Sequence, residues 1–403
     1  MAAVVAVGLL TVTAACGSSS TTSASSAASS VAGSPSATAS MGPASASASM
    51  GSGSAGSGSA DPKFAASAAA FGGLDGLVAA AQKEGALNVI ALPPDWANYG
   101  EIISAFQAKY PGITIDSQQP DASSAQEITA AQTNKGTDKA PDVFDLGPSV
   151  ATQNVAMFAP YKVTAFDQIP TGNKDPNGAW VNDYTGLMTV GYNASKFGEI
   201  TDLKQLTDPK FASTVALNGN PTEAGAAFNG VVMAAVANGG SPDDISKGVA
   251  YFKSLKDAGT FLPLDPTEAT VVSGQTGVVF DWSYNQAALA TKLAAEGTEW
   301  KSFVPSGAAV GSYYVQAINS DAPHPAAARL WQEFLYTPQA QNLWIKGGAK
   351  PVLYESMDKA GQIDASVAAN LPKAEGTLVT LTEAQTKAAN DYLKANWTAA
   401  VGS

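Results

Sequence analysis

The chain has 403 residues, 45% of them hydrophobic and 14% charged, with a formal net charge of −12. That is length enough for a sizeable core, and the acidic balance argues against nucleic-acid phosphates, which are bound through Lys and Arg. A single cysteine, Cys16, excludes an intrachain disulfide, and with a single histidine, His324, the usual Cys/His zinc sites cannot be assembled.

No charged residue occurs in residues 1–60. Ala2 to Ala15 is an apolar run of signal-peptide length, too short to span a bilayer as a helix. It ends in Thr13-Ala14-Ala15-Cys16, which resembles the bacterial lipoprotein signal, in which the cysteine is acylated and becomes the new N-terminus. Thr13 stands where that signal usually has Leu, and the lack of Lys or Arg ahead of the run leaves an upstream start codon open. A plain secretory signal with an incidental cysteine is the alternative. Residues 17–60 are Ser, Ala, Gly and Thr with a few Pro and Met, a composition that cannot bury enough apolar surface to offset its entropy and is expected to form a disordered tether. Residues 1–16 are thus read as signal and lipidation site, and two acyl chains on Cys16 would hold the protein at a membrane.

From Asp61 onward the pattern changes. Leu74, Leu77, Val78 and Ala81 recur at helical spacing, Gly85 stops that helix, and Leu87 to Leu92 reads as a buried strand. The loop Pro93 to Gly100 leads to a helix with Ile102, Ile103 and Phe106 inward, then a strand at Ile113 to Asp116. A helix around Ala122 to Gln132 follows, and a strand, Val143 to Leu146, that ends in Gly147-Pro148-Ser149. Further strands are predicted at 187–193, 214–217, 277–280 and 313–318. Helices are predicted from Asn220-Pro221-Thr222-Glu223 through Val236, over 244–257, and from near His324 and Pro338. Strands alternating with helices predict an α/β fold with a mainly parallel sheet, whose ligands bind outside the carboxyl ends of the strands. Without internal repeats or a second linker, residues 61–403 read as two lobes sharing several crossings.

Several phrases in this order resemble the solute-binding proteins of ABC importers, in the group that includes polyamine, thiamine, ferric-iron and aminoethylphosphonate binders. They are Leu77 to Gly85, Ala140 to Val143, Gly186 to Asn193, Leu206 to Phe211, Pro325 to Ala328 and Phe334 to Gln341. The resemblance implies a two-lobed periplasmic-binding-protein-like fold of type II with the ligand cleft between lobes. It places lobe 1 in residues 61–185 and lobe 2 in 186–282, with crossings and C-terminal helices in 283–403. It also implies a monomer without cofactor or bound metal that captures a small-molecule solute and delivers it to permease and ATPase subunits. The setting would be the extracellular face of the cytoplasmic membrane or the periplasm.

Carried over by residue, the resemblance places Trp96 and Tyr99 at the polyamine binders' Trp-x-x-Tyr spacing, and Asp281, Trp282 and Tyr284 at a strand end that faces the cleft. Asp95, Asp183, Glu223 and Asp281 are the candidate anions, with Ser149 and Tyr184 beside them. Aromatic faces attract ammonium groups by about 0.5 to 2 kcal/mol each, so the set suits an organic cation such as a polyamine or thiamine. Packing residues and solvated acids are the plain alternative. An anionic or zwitterionic solute, such as 2-aminoethylphosphonate, would instead use backbone N–H groups after Asn220 and the Thr222 hydroxyl. The only arginine, Arg329, falls in a predicted helix, away from the loops. Ferric iron would need tyrosinates, and of Tyr313 and Tyr314, adjacent on a strand, at most one can face the cleft. Either ring is a candidate contact to an organic ligand. A hydrolase is the competing class. No nucleophile-elbow or HExxH motif occurs in a suitable place, and His324 is expected to be solvated. A carboxylate-pair hydrolase stays open at this point.

Overall fold

Leu77 and Ala81 are fully buried on α1 (Leu74–Glu84), and Gly85 ends the helix in the left-handed region, φ 74°, as the sequence predicts. The computed structural model describes residues 61–372 and 377–402, so the expected signal, Cys16 and the tether lie outside the described residues. β1 (Ala86–Ile90) pairs in parallel with β2 (Thr114–Gln118) through α2 (Tyr99–Lys109), which buries Ile102 and Phe106. A capping box between Ser123 and Gln126 opens α3 (Ser124–Thr133), and β3 (Val143–Leu146) runs into the short α4 (Pro148–Ala151). Then come β4 (Phe158–Ala159), β5 (Val181–Asn193), α5 (Ala194–Phe197), β6 (Val215–Leu217), α6 (Gly225–Ala237), α7 (Ser246–Asp257) and α8 (Glu268–Val272). These are followed by β7 (Val278–Trp282), α9 (Ser283–Ala295), β8 (Trp300–Phe303) and β9 (Gly311–Asn319). The last described elements are α10 (Pro325–Leu335), α11 (Pro338–Lys346), β10 (Lys350–Pro351), α12 (Tyr354–Lys359) and α13 (Glu383–Val401).

The sheet departs from the mainly parallel expectation. Its order is β3-β9-β5-β7-β6, with β4 on β9 and β8 and β10 on β5, and among the described ladders only β1–β2 and β6–β7 are parallel. Strand–helix alternation fixes the direction only of strands that are neighbours in both chain and sheet. Here β3 takes as its partner β9, which arrives 165 residues later in the chain, antiparallel, with Val143 opposite Ile318.

β5 is the longest strand and changes partners along its length. Val181, Asn182 and Thr185 to Leu187 pair with β9, with an irregularity between Asn182 and Thr185, and Met188 to Tyr192 pair with β7. The predicted strand 187–193 is only its second half, because Asn182 and Asp183 lack strand propensity and are held in the strand by burial and side-chain hydrogen bonds. Two glycines let α9 lie on this strand. A Cβ at Gly186 would stand 2.7 Å from Cε1 of Tyr284, and one at Gly191 would stand 1.8 Å from Oε1 of Gln286.

Two further details differ from expectation. α6 begins at Gly225 rather than at Pro221, because the Asn220 side chain accepts from the backbone N–H of Thr222 (3.0 Å) and its hydroxyl (2.9 Å), building a separate turn. His324 is not a solvated residue: its Nδ1 lies 2.9 Å from Oδ2 of the buried Asp142, at the start of α10. Arg329 lies in a helix, as expected, and its buried guanidinium donates to the carbonyls of Ala65, Lys63 and Pro325. α13 touches two regions. Trp397 stands edge-on to Phe252 of α7 at 5.5 Å, while Asn390 donates to the carbonyl of Ser149 in α4 at 3.3 Å.

Candidate functional site

A cavity of about 470 Å³ opens where the chain leaves the carboxyl ends of β1, β2, β6 and β7, the location expected of α/β sheets. The loop after β1 enters it under strain. Ala91, Ala97 and Asn98 all have positive φ, at 57°, 46° and 67°, a region that disfavours residues with a Cβ by roughly 1–2 kcal/mol each. That loop lines one wall with Pro93, Pro94, Asp95 and Trp96. The opposite wall comes from α6, α8 and α9, and the floor from β3, β7 and β9.

An aromatic cluster supports the floor. The Trp96 indole donates to the Tyr184 hydroxyl at 2.7 Å, and its ring stands edge-on to Tyr284 and Tyr314, both at 5.7 Å. Tyr184 stacks on Tyr314 with an interplanar angle of 9°, and Trp282 donates its indole N–H to the Tyr314 hydroxyl at 3.2 Å. Of the paired tyrosines, Tyr314 lines the cavity and Tyr313 does not, as strand alternation requires.

Among the predicted site residues, the structure brings Asp95, Trp96, Asp281 and Tyr314 to the cavity wall. Tyr99, Asp183, Tyr184, Trp282 and Tyr284 pack behind these and do not line it, being buried to 2% exposure or less. Ser149 is buried under α13. Asn220, Thr222 and Glu223 satisfy one another in their turn, with Asn220 donating to Glu223 at 3.2 Å, and the cavity is lined instead by Ala224 to Ala226. Here the backbones approach closely: a Cβ on Gly147 would fall 2.8 Å from Cα of Gly225. Nearby, the Ala125 N–H donates to the Glu223 carbonyl at 3.2 Å.

The electrostatics are one-sided. Asp95, Asp121, Asp265 and Glu268 stand exposed at the rim, and Glu127, Asp145 and Asp281 are buried at the floor. Among the described residues only one basic side chain lines the cavity, Lys292, and its ammonium is already paired with both Asp95 and Glu268. Burial pushes the Asp145 carboxyl up to about 7, although Tyr184 donates to its Oδ2 at 2.9 Å. Burial likewise raises Asp281 to about 6, against hydrogen bonds from Asn218, the Trp282 N–H and Asn285. Glu127 and Asp183 are held well above the carboxylate range by burial and then by the charge of Asp145.

A family model for bacterial extracellular solute-binding proteins matches residues 138–374. The chain belongs to that family. As an extracellular solute-binding protein it works in the periplasm or on the extracellular face of the membrane, and among its described residues no helix is long and apolar enough to cross a membrane. Solved structures share its two-lobed fold. The periplasmic binding protein P5PA is 14% identical with a TM-score of 0.61, the match covering 79% of this chain and 99% of that one. AfuA from Actinobacillus pleuropneumoniae, solved with fructose-6-phosphate, is 17% identical with a TM-score of 0.62, over 79% and 98%. Apo ferric ion-binding protein A from Pasteurella haemolytica is 17% identical with a TM-score of 0.54, over 77% and 97%. No curated protein matches the chain.

The cavity of the solute-binding protein is also lined by residues the sequence reading did not single out, Glu127, Asp145, Asn218, Asn285 and Lys292, with Gln316 behind it. Asp145 left a trace, as the one charged residue inside the apolar run Val143-Phe144-Asp145-Leu146, where a buried strand has no use for a carboxylate. Lys292 left none, since a lysine on a half-exposed helix is ordinary.

Proposed function

We propose that this binding protein captures a small organic cation of the polyamine or thiamine type and delivers it to the permease of an ABC importer, without catalysing its conversion. The observation that carries the reading is the acidic lining of the cavity: among the described residues seven carboxyl residues, four of them exposed at the rim, face one lysine, which two of them already neutralise. An anion would meet repulsion there. A cation gains charge-assisted hydrogen bonds at the floor and the faces of Trp96 and Tyr314 at the side. Asp95, Asp281 and Asp145 are the anionic contacts in this reading, with Tyr99, Asp183, Tyr184, Trp282 and Tyr284 holding the rings and carboxyls in place.

Capture is read as lobe closure. Lobe 1 takes residues 61–185, lobe 2 takes 186–282, and 283–403 return between them, which is supported by the change of partner along β5 and the two contacts of α13. A lipid anchor at Cys16 with residues 17–60 as tether would keep a monomeric clamp near its permease.

A zwitterion such as 2-aminoethylphosphonate is the second reading, favoured by the start of α6. Ala224 to Ala226 line the cavity there, and the cap residue Ala224 provides no side-chain hydrogen bond to the first N–H groups. For ferric iron, Tyr314 alone of the tyrosine pair lines the cavity. A melting-temperature panel with spermidine, putrescine, thiamine, 2-aminoethylphosphonate and ferric citrate separates these readings, because a solute that binds the native state raises its melting temperature. The cation reading requires stabilisation by the amines or thiamine. Stabilisation by the phosphonate or iron alone would replace it.

A further inference from the structure

The cavity floor holds more carboxyl groups than it has cations to answer them. Asp145 is 5% exposed, its Oδ2 accepts from Tyr184, and its Oδ1 is buried with no hydrogen-bond partner among the described residues although the residue lines the cavity. Every element around it presents an acid or a neutral group. From α3, Oε2 of Glu127 accepts the backbone N–H of Asp145 itself at 3.0 Å. β5 contributes Asp183 and Tyr184, and α2 contributes Tyr99. Asp183 accepts from Gln316 of β9 at 3.0 Å and from Tyr99 at 3.4 Å. Tyr314 of β9, Asp281 of β7 and Tyr284 of α9 complete the ring. No lysine or arginine enters it among the described residues: Lys292 is engaged at the rim, and Arg329 is bound to carbonyls elsewhere.

Buried carboxyls that share a site without a counter-charge cannot all ionise, so without a cation the floor must carry protons. Once Asp145 is ionised, its Oδ1 lacks only a donor. We infer that Asp145 seats the charged head of the solute, that this head is an ammonium bearing N–H, and that it enters in exchange for a proton. The inference rests on the cation reading and narrows it to protonated amines, since a quaternary ammonium has no hydrogen to give Oδ1. The exchange balances: the neutral Asp145 carboxyl releases its proton to solvent, the resulting carboxylate accepts N–H from the incoming ammonium, and the charge of the floor plus its occupant does not change. Asp145 titrates near neutrality, so the exchange falls within the working range of pH.

Calorimetry of putrescine binding to the full protein, repeated at each pH in two buffers of different ionisation enthalpy, tests it. The expected result is release of close to one proton per putrescine at pH 6, fading above pH 8, with affinity rising up to roughly tenfold per pH unit below the Asp145 titration and levelling above it. Asp145→Asn is expected to abolish the release and to weaken putrescine at least roughly tenfold while the variant still melts cooperatively, and tetramethylammonium is expected to bind without matching putrescine. Putrescine binding with no proton release and no pH dependence in the unmodified protein would overturn the exchange, whatever the variant does. If no amine binds at any pH, the cation reading itself falls and the exchange with it.

Discussion

Trp96 and Tyr184, 88 residues apart in sequence, are joined by a 2.7 Å hydrogen bond from the indole N–H to the phenol oxygen. The same phenol then donates to Asp145, so a side chain on the strained loop after β1 is linked through β5 to a carboxyl on the cavity floor. The ring that would meet the solute and the acid that would neutralise it are thus positioned by one tyrosine.

Trp96→Ala removes a ring from the cavity wall and leaves the Tyr184 hydroxyl without its donor. Binding of an amine is expected to weaken by about 1 kcal/mol or more, roughly fivefold, with a cooperative melt retained because the ring is only half-buried. Titration calorimetry paired with a melting curve reads both. A variant that unfolds or aggregates would mark Trp96 as a core residue instead.

The raised carboxyls fix the sign of the pH dependence of stability. Asp145 at about 7 and Asp281 at about 6 stand above the values they take in the unfolded chain, near 3.8. The native state therefore binds more protons than the unfolded state between those limits. Their contribution is complete below about pH 4 and is lost as pH rises through 6 and 7. His324, raised by its bond to Asp142, acts in the same direction. The melting temperature of the solute-free protein is expected to fall from pH 5 to pH 8, and Asp145→Asn is expected to flatten that slope. A melting temperature that rises over this interval would contradict the assignment of the floor.

How much of this was legible in the chain varies by residue. Leu77, Ala81 and Gly85 announce α1 by spacing and stop signal, and Val143 to Leu146 is found at its observed bounds. The direction of the sheet was not legible, because the partner of β3 is β9 and no local pattern names a partner at that distance. At the cavity, Asp281 is legible because acid and aromatic end a strand together, and Trp96 because the same pair, Asp95-Trp96, recurs in the loop after β1. The donors that orient the buried acids, Gln316 on Asp183 and Asn285 on Asp281 at 3.0 Å each, come from other elements and are ordinary residues in their own segments. The start of α6 was misplaced for a local reason, since Asn220 caps its own turn instead of the helix.

Gly147→Ala tests lobe approach. Its new Cβ would press on the Gly225 backbone at 2.8 Å, which cannot give way as a flexible side chain would. Small-angle scattering is expected to show a larger radius of gyration than for the unmodified protein, with weaker solute binding. An unchanged radius with unchanged affinity would place the Gly147–Gly225 contact outside the closure.

Lys292→Met leaves Asp95 and Glu268 facing each other across the rim without their ammonium. Exposed pairs of this kind contribute about 0–1 kcal/mol, so stability is expected to change little. Amine affinity is expected to rise a few-fold at low salt as the rim grows more negative, and the gain is expected to vanish in high salt, where charges beyond roughly 3 Å are screened at about 1 M. Calorimetry at two salt concentrations gives the comparison, and weaker binding at both would make Lys292 a solute contact.

The central claim is that an acidic, aromatic cavity in this solute-binding protein takes an organic cation. Titration calorimetry of the protein with spermidine at pH 7.5, run beside 2-aminoethylphosphonate, tests it most directly. The account predicts saturable binding of spermidine that weakens with salt and is lost in Asp281→Asn with Asp145→Asn. Saturable binding of the phosphonate with no heat from spermidine would contradict it.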